Sequence, residues 1–273
     1  MSQSSEYVLG SSAEAARRLE IQDRHFAAAS EQLLDFLKLR PTDRVVELGC
    51  GPGMFSRRIL KRLGAGGTLV AVDSAPGLLD QAKAMLGNTA PVNYQPTLAD
   101  AAQLGEWLDG ADVVCGRAVL HHIPMAEFTI GRLCGRVRPG TRLGFMEPDF
   151  RAPLARVAHL EAAGHKELEP LRVWATVINE LYLIRRISPC VGATLATAFT
   201  DAGCRSVQAA YAEFPCNDLV IDNMIMFYDE VGETLAKLGI IARAECTRQQ
   251  GLLKKVPPGS PAVWGVHLVS CEA

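Results

Sequence analysis

From Ser11 the chain carries Leu19, Phe26, Leu33, Leu34 and Leu37 at roughly helical spacing, with Glu14, Arg17 and Arg18 between them. That period predicts a helical lead-in, which Pro41 closes because the residue before a proline is pushed out of the helical region. The period then shortens and alternates. Val45-Val46-Glu47-Leu48 reads as a strand, and Phe55, Ile59 and Leu63 mark a helix after it. Thr68–Val72 is a second strand, followed by a helix through Leu78, Leu79, Ala82 and Met85. Val92-Asn93-Tyr94, bracketed by Pro91 and Pro96, is a third, and Asp112–Cys115 a fourth, with a helix from about Met125 to Val137. Arg142–Met146 is the fifth. Short apolar strands alternating with helices predict a mostly parallel sheet covered on both faces, and right-handed crossovers make it doubly wound.

After Pro148 the rhythm breaks. Residues 151–189 predict a long helical stretch with Trp174, Val177, Ile178 and Leu181 on one face. A helix near Ala193–Ala202 and a strand near Ser206–Phe214 resume the alternation. A second helical stretch covers about 217–250, and Ala262–Val269 forms the last of seven strands. The organisation expected is an N-terminal helical segment (1–40), a nucleotide-binding core (41–150), a helical insert (151–189) and a C-terminal completion of the sheet (190–273). The two inserts are expected to cap a substrate cavity; extra core packing or an oligomer contact is the alternative.

Composition narrows the class. Of 273 residues 48% are hydrophobic, ample for a core, and the net charge of -2 gives no general attraction to a phosphate backbone, so nucleic acid is not the expected partner. The start, Met1-Ser2-Gln3-Ser4-Ser5-Glu6, lacks the basic and apolar runs of a secretory signal, and no apolar run is long enough to span a bilayer. Eight cysteines occur without a CxxC pair, neither a disulfide framework nor a zinc pattern, so reduced thiols, a cytoplasmic location and no metal are expected.

The chemistry concentrates in Glu47-Leu48-Gly49-Cys50-Gly51-Pro52-Gly53. Glycines let a backbone turn tightly and approach a ligand, and the following helix presents its N–H groups at the carboxyl edge of the sheet. A dinucleotide fingerprint needs its third glycine three residues after the second; that position is Met54 here, and Gly53 comes one residue earlier. The loop instead resembles the first motif of class I S-adenosylmethionine (SAM)-dependent methyltransferases, an acidic residue followed by GxGxG. Val72-Asp73 at the end of the second strand and Leu98-Ala99-Asp100-Ala101 after the third resemble that family's ribose and adenine elements. The run Asp112–Pro124, which includes Arg117, His121 and His122, is similar to the fourth-strand region of its ubiquinone/menaquinone C-methyltransferase-like group. Arg138-Pro139-Gly140-Thr141 resembles the turn before its fifth strand, with Thr141 in place of a usual second glycine. The resemblance covers roughly 40–150, 193–214 and 262–270, and implies a Rossmann-like methyltransferase fold with SAM as cofactor and S-adenosylhomocysteine as product.

On that resemblance Glu47 helps hold the methionine amino end, Gly49, Cys50, Gly51 and Gly53 line the methionine moiety, and Asp73 with Ser74 serves the ribose. Asp100 and Ala101 serve the adenine edge, unless Asp100 is only a helix cap; Arg117 completes the cofactor set. Cys50 reads as a small residue filling a tight turn rather than a nucleophile, and Cys115 likewise. Histidine as a residue type changes charge near neutral pH, so His121 or His122 is a candidate general base, or else shapes the pocket. Glu147 and Asp149 are candidates for a base or for binding a substrate amine, against a solvated loop. Tyr7 either folds over the cofactor or belongs to a loose tail. Trp174, Tyr182, Met224, Met226 and Phe227 are candidate lining for an apolar substrate, against plain core. Arg132, Arg136, Arg138 and Arg142 form an apparent basic patch that helix-end placement explains.

The expected activity is in-line methyl transfer from SAM to oxygen or carbon of a small apolar or aromatic metabolite, with a homodimer as the candidate assembly. Three other readings stay open: a SAM-binding enzyme of non-methylating chemistry, an NAD-dependent oxidoreductase, and a non-catalytic partner subunit.

Overall fold

The computed structural model describes residues 13–87 and 92–273. In chain order the elements are α1 (Ala13–His25), α2 (Ala27–Leu37), β1 (Arg44–Leu48), α3 (Met54–Leu60), β2 (Thr68–Asp73), α4 (Pro76–Leu86) and β3 (Asn93–Leu98). Then come β4 (Val113–Arg117), α5 (Ala126–Arg136), β5 (Arg142–Pro148), α6 (Ala152–Ala162), α7 (Glu169–Ile184), α8 (Val191–Asp201), β6 (Arg205–Phe214), α9 (Asp218–Lys237), α10 (Arg243–Leu253) and β7 (Trp264–Glu272). The seven strands form one sheet in the order β3-β2-β1-β4-β5-β7-β6. β3 through β5 pair in parallel and β7 runs antiparallel to β5. This is the doubly wound, mostly parallel sheet that the alternation predicts. The third strand is longer than its prolines suggest, because β3 lies at the sheet edge, where Pro96 removes no essential ladder donor.

The chain separates into two compact units. The first holds the sheet: residues 26–148, 191–212 and 266–273. Its central strands are buried on both faces, as a parallel sheet between helical layers requires. Val46, Leu48, Val70, Val72, Val114, Leu143 and Phe145 point to one side, where Ile130 and Leu133 of α5 and Leu195 and Phe199 of α8 complete a single apolar cluster. The alternate positions meet α2 and α3. α2 approaches β5 so closely that a Cβ on Gly144 would lie 2.6 Å from Leu37 Cδ2. Lys38 ends α2 in the left-handed conformation, and Arg142 caps it by donating to the carbonyls of Leu37 (2.7 Å) and Lys38 (2.6 Å) while pairing with Asp43 (2.7 Å). Two other members of the apparent basic patch are paired with acids, Arg136 with Asp109 and Arg138 with Asp112, while Arg132 donates to the Ala102 carbonyl.

The second unit is helical: residues 13–25, 149–190 and 213–265. The boundary at His25/Phe26 divides the predicted N-terminal segment, so α1 belongs with the inserts and α2 with the sheet. Each predicted insert is two helices, broken at glycines that take positive φ: Gly164 (φ 110°) between α6 and α7, and Gly239 (φ 71°) between α9 and α10. The interior is aromatic. The ring of Phe150 lies 5.9 Å from Trp174, 5.3 Å from Tyr182 and 6.0 Å from Trp264, and Trp174 lies 6.2 Å from Phe227. His25 packs 3.9 Å from Phe214, and burial lowers its pKa to about 3, so it sits there as neutral imidazole. Arg18 and Glu230 form a buried ion pair. Among the described residues no helix is long and apolar enough to cross a membrane.

Substituting Gly144→Ala overpacks the Leu37 contact and is expected to cost about 1–3 kcal/mol. Urea unfolding checks it through a lower midpoint at unchanged slope; an unmoved midpoint would show that Leu37 yields freely.

Candidate functional site

The carboxyl ends of β1, β2 and β4 are adjacent in the sheet, so the loops that leave them converge in the sheet unit. Leaving β1, the glycine loop takes φ values of 65° at Gly49, 53° at Gly51 and 90° at Gly53, a left-handed series that side chains rarely adopt. Gly49 is also confined sterically: a Cβ there would sit 2.5 Å from Val119 Cγ2. Two attachments hold the loop to β2. The Cys50 N–H donates to the Val72 carbonyl (3.0 Å), and the Gly51 N–H donates to Asp73 Oδ2 (2.7 Å). The other oxygen of Asp73 accepts from the Ala75 N–H (2.9 Å). Burial raises the Asp73 pKa, opposed by these amide hydrogen bonds. A carboxylate offers about four acceptor sites, so Asp73 orders the loop and still has capacity for ligand hydroxyls.

Glu47 is fully buried beneath the loop. It accepts from Ser56 Oγ (2.5 Å) at the start of α3. Burial raises its pKa to about 7, against the lowering effects of Ser56 and Arg117. Arg117, at the end of β4, lies on the same face of the sheet; it donates to Ser30 Oγ (3.1 Å) and covers the Phe55 ring at 5.3 Å. A carboxylate and a guanidinium thus stand near each other on neighbouring strands. Tyr94 of β3 adds a hydroxyl that is buried without a hydrogen-bond partner among the described residues, and burial, then Cys50 and Glu47, raise its pKa. Ser56, Phe55, Ser30 and Tyr94 were not legible as site residues; only the position of Ser56 in the first turn after the loop carried a signal. Cys50 is buried and its pKa is raised by burial, so it fills the turn as an inert thiol. Ser74 is exposed beside Asp73. Asp100 is exposed and caps a short 3-10 turn by accepting from the Ala102 N–H (2.9 Å), with Ala101 the first residue of that turn.

The turn after β4 is built around Glu147. This side chain is fully buried, and its oxygens accept from the N–H groups of Val119 (2.9 Å), Leu120 (2.8 Å) and His121 (3.3 Å) and from His121 Nδ1 (2.6 Å). Four donors occupy the carboxylate, so it is neither a solvated loop residue nor placed as a base; it is an anchor. With Nδ1–H donated to Glu147, Nε2 is the basic nitrogen of His121. The ring of His122 lies 4.1 Å from that of His121 and is half-buried, whereas His121 is buried. Asp149, in the helical unit, accepts from the Arg151 N–H (2.8 Å) at the start of α6.

The candidate substrate residues fall in the helical unit. Trp174, Tyr182, Met224 and Phe227 belong to its core, while Met226 is half-buried on another side of α9. Tyr7 lies outside the described residues.

Residues 45–140 match the methyltransferase domain family, a span that holds the glycine loop, Asp73, Asp100, Arg117 and both histidines. Among curated proteins, a trans-aconitate 2-methyltransferase of Rhizobium leguminosarum is 31% identical over 55% of this chain and 55% of its own length. The chain spans 34–62% of the length of the first curated relatives it matches. The cyclopropane synthase MmaA2 of Mycobacterium tuberculosis superposes with a TM-score of 0.60 at 14% identity, covering 90% of this chain and 84% of the other. The [4+2]-cyclase SpnF superposes with a TM-score of 0.56 at 12% identity, covering 90% and 79%. At these identities the structures share the fold.

Replacing Glu147 by Ala leaves three amides and an imidazole without their acceptor, and is expected to destabilise the protein by about 3–5 kcal/mol in urea unfolding. Glu147→Gln, which keeps one acceptor oxygen, is expected to lose less; equal losses would mean that the hydrogen bonds are not what holds the turn.

Proposed function

We propose that the chain is a SAM-dependent methyltransferase acting on oxygen or carbon of a small apolar or aromatic metabolite. The observation that carries this reading is the buried carboxyl of Glu47 under a left-handed glycine loop, with its pKa raised to about 7. A desolvated carboxylate with one neutral hydrogen-bond donor favours a cationic ligand, and the α-ammonium of the methionine moiety is such a group. Arg117 would take the carboxylate of that moiety, Asp73 the ribose hydroxyls, and Asp100 with the Ala101 N–H the adenine edge. When bound, SAM supplies a sulfonium-activated methyl group for direct displacement.

The residues of this chain then have limited tasks. They hold a nucleophile in line, worth about 7–11 kcal/mol where orientation is good, and remove a proton if the acceptor carries one. His121 is our candidate general base, with Glu147 a positioning residue that fixes its tautomer. A second reading, SAM-assisted chemistry without methyl transfer, is favoured by the likeness to a [4+2]-cyclase. Met54 at the dinucleotide position argues against an NAD-dependent oxidoreductase.

Calorimetry with SAM and NAD side by side is expected to register SAM alone. The folded carboxyl of Glu47 keeps its proton up to about pH 7, whereas the ammonium needs the carboxylate. Affinity should therefore weaken roughly tenfold per pH unit below about 7, with proton release on binding. Glu47→Gln should abolish that dependence; a pH-independent affinity in the unsubstituted protein removes Glu47 from the site.

With an aromatic acceptor panel, S-adenosylhomocysteine should form one for one with product. Product without it establishes the second reading. For a hydroxyl acceptor, His121→Asn is expected to lower kcat by about 10²–10⁴ with KM for SAM little changed.

A further inference from the structure

Three of the eight cysteines, far apart in sequence, meet in the sheet unit away from the glycine loop. Cys134 lies in the last turn of α5, Cys204 in the connection from α8 to β6, and Cys271 near the end of β7. The sulfurs of Cys134 and Cys204 are 3.1 Å apart, nearer than two non-bonded sulfurs ordinarily approach and roughly 1 Å from the length of a disulfide bond. Cys271 is near enough to both for their thiols to raise its pKa, after burial. Cys204 and Cys271 are buried, and Cys134 is half-buried. Access and proximity thus divide between the members of the pair: Cys134 can meet a small oxidant from solvent, and Cys204 is already in place to resolve the product.

We propose that Cys134 and Cys204 are an oxidation site that a hydroperoxide converts to a disulfide. The Cys134 sulfur attacks the peroxide oxygen, the O–O bond breaks, and sulfenic acid and water form. Cys204 then attacks the sulfenic sulfur; the S–S bond forms, the S–O bond breaks, and the hydroxide leaves as water with the thiol proton. In sum two thiols and one hydrogen peroxide give one disulfide and two waters, the sulfurs losing two electrons to the peroxide. Burial and the neighbouring thiol raise the Cys134 pKa, so thiolate is scarce and the reaction is slow at neutral pH. The pair therefore serves as a staple under sustained oxidation rather than a rapid sensor. It joins residues 70 positions apart, tying the end of α5 to the end of α8, two helices already packed against each other.

The test uses the full chain treated with excess hydrogen peroxide, blocked with an alkylating agent and digested with trypsin. The expected result is a cross-linked pair of peptides, 133–136 joined to 187–205, with fragmentation placing the bond at Cys204 rather than Cys190. Its formation should raise Tm by roughly 5–15 °C, reversed by dithiothreitol. Cys134→Ser should abolish both effects, whereas Cys271→Ser should leave the cross-link. A bond between Cys204 and Cys271, or sulfinic and sulfonic acid at Cys134 with no cross-linked peptide, overturns the proposal. Because the unsubstituted protein supplies the primary readout, a variant that folds poorly does not remove the test.

Discussion

A buried carboxylate demands donors, and Glu147 meets that demand with the backbone of a single turn. Val119, Leu120 and His121 all turn their N–H groups to it, which forces the chain leaving β4 into a tight 3-10 turn. The residue before, Ala118, takes φ 54°, a conformation that costs a non-glycine residue about 1–2 kcal/mol. Hydrogen bonds to a charged group contribute about 1.5–3 kcal/mol each, so the arrangement outweighs the strain it imposes. The consequence reaches across the site. Val119, once fixed, occupies the space beside Gly49 that any side chain would need, so the conformation of the glycine loop and that of the β4 turn are set together.

Glu47 and Glu147 are both buried glutamates at carboxyl ends of parallel strands, yet they point to opposite faces of the sheet and end in opposite circumstances. Glu147 is saturated by donors, three of them from the backbone, and has nothing left to offer a ligand. Glu47 has one hydroxyl donor and Arg117 nearby, and its pKa rises to about 7 because desolvation is not fully answered. An incompletely satisfied buried carboxyl beside a glycine loop is costly unless something bound completes it, and this asymmetry distinguishes a binding group from a structural one more sharply than residue type or position does.

That distinction marks how far the sequence could be read. The strand and helix alternation, the sheet type and the glycine loop were legible because each rests on local periodicity or on a backbone requirement such as φ > 0. The assignment of Glu147 as a base was not sound, because strand parity and the donors it meets come from a turn 26–28 residues earlier in the chain. The inserts read as continuous helical stretches because Gly164 and Gly239 break them only through a left-handed φ, which a tolerated helix glycine does not announce. The arginines at 136, 138 and 142 looked like a patch because their partners, Asp109, Asp112 and Asp43, come from other connections.

The division of the chain into two units also divides what the fold can say about chemistry. The family match ends at residue 140, within the sheet unit, and every proposed donor-binding residue lies inside it. A cyclopropane synthase and a [4+2]-cyclase share the fold at 14% and 12% identity, so the sheet alone does not determine what is made. The helical unit, outside the match, has an interior of packed aromatic rings with the Trp174 indole N–H buried and without a hydrogen-bond partner among the described residues. A buried donor of that kind costs free energy until an acceptor meets it.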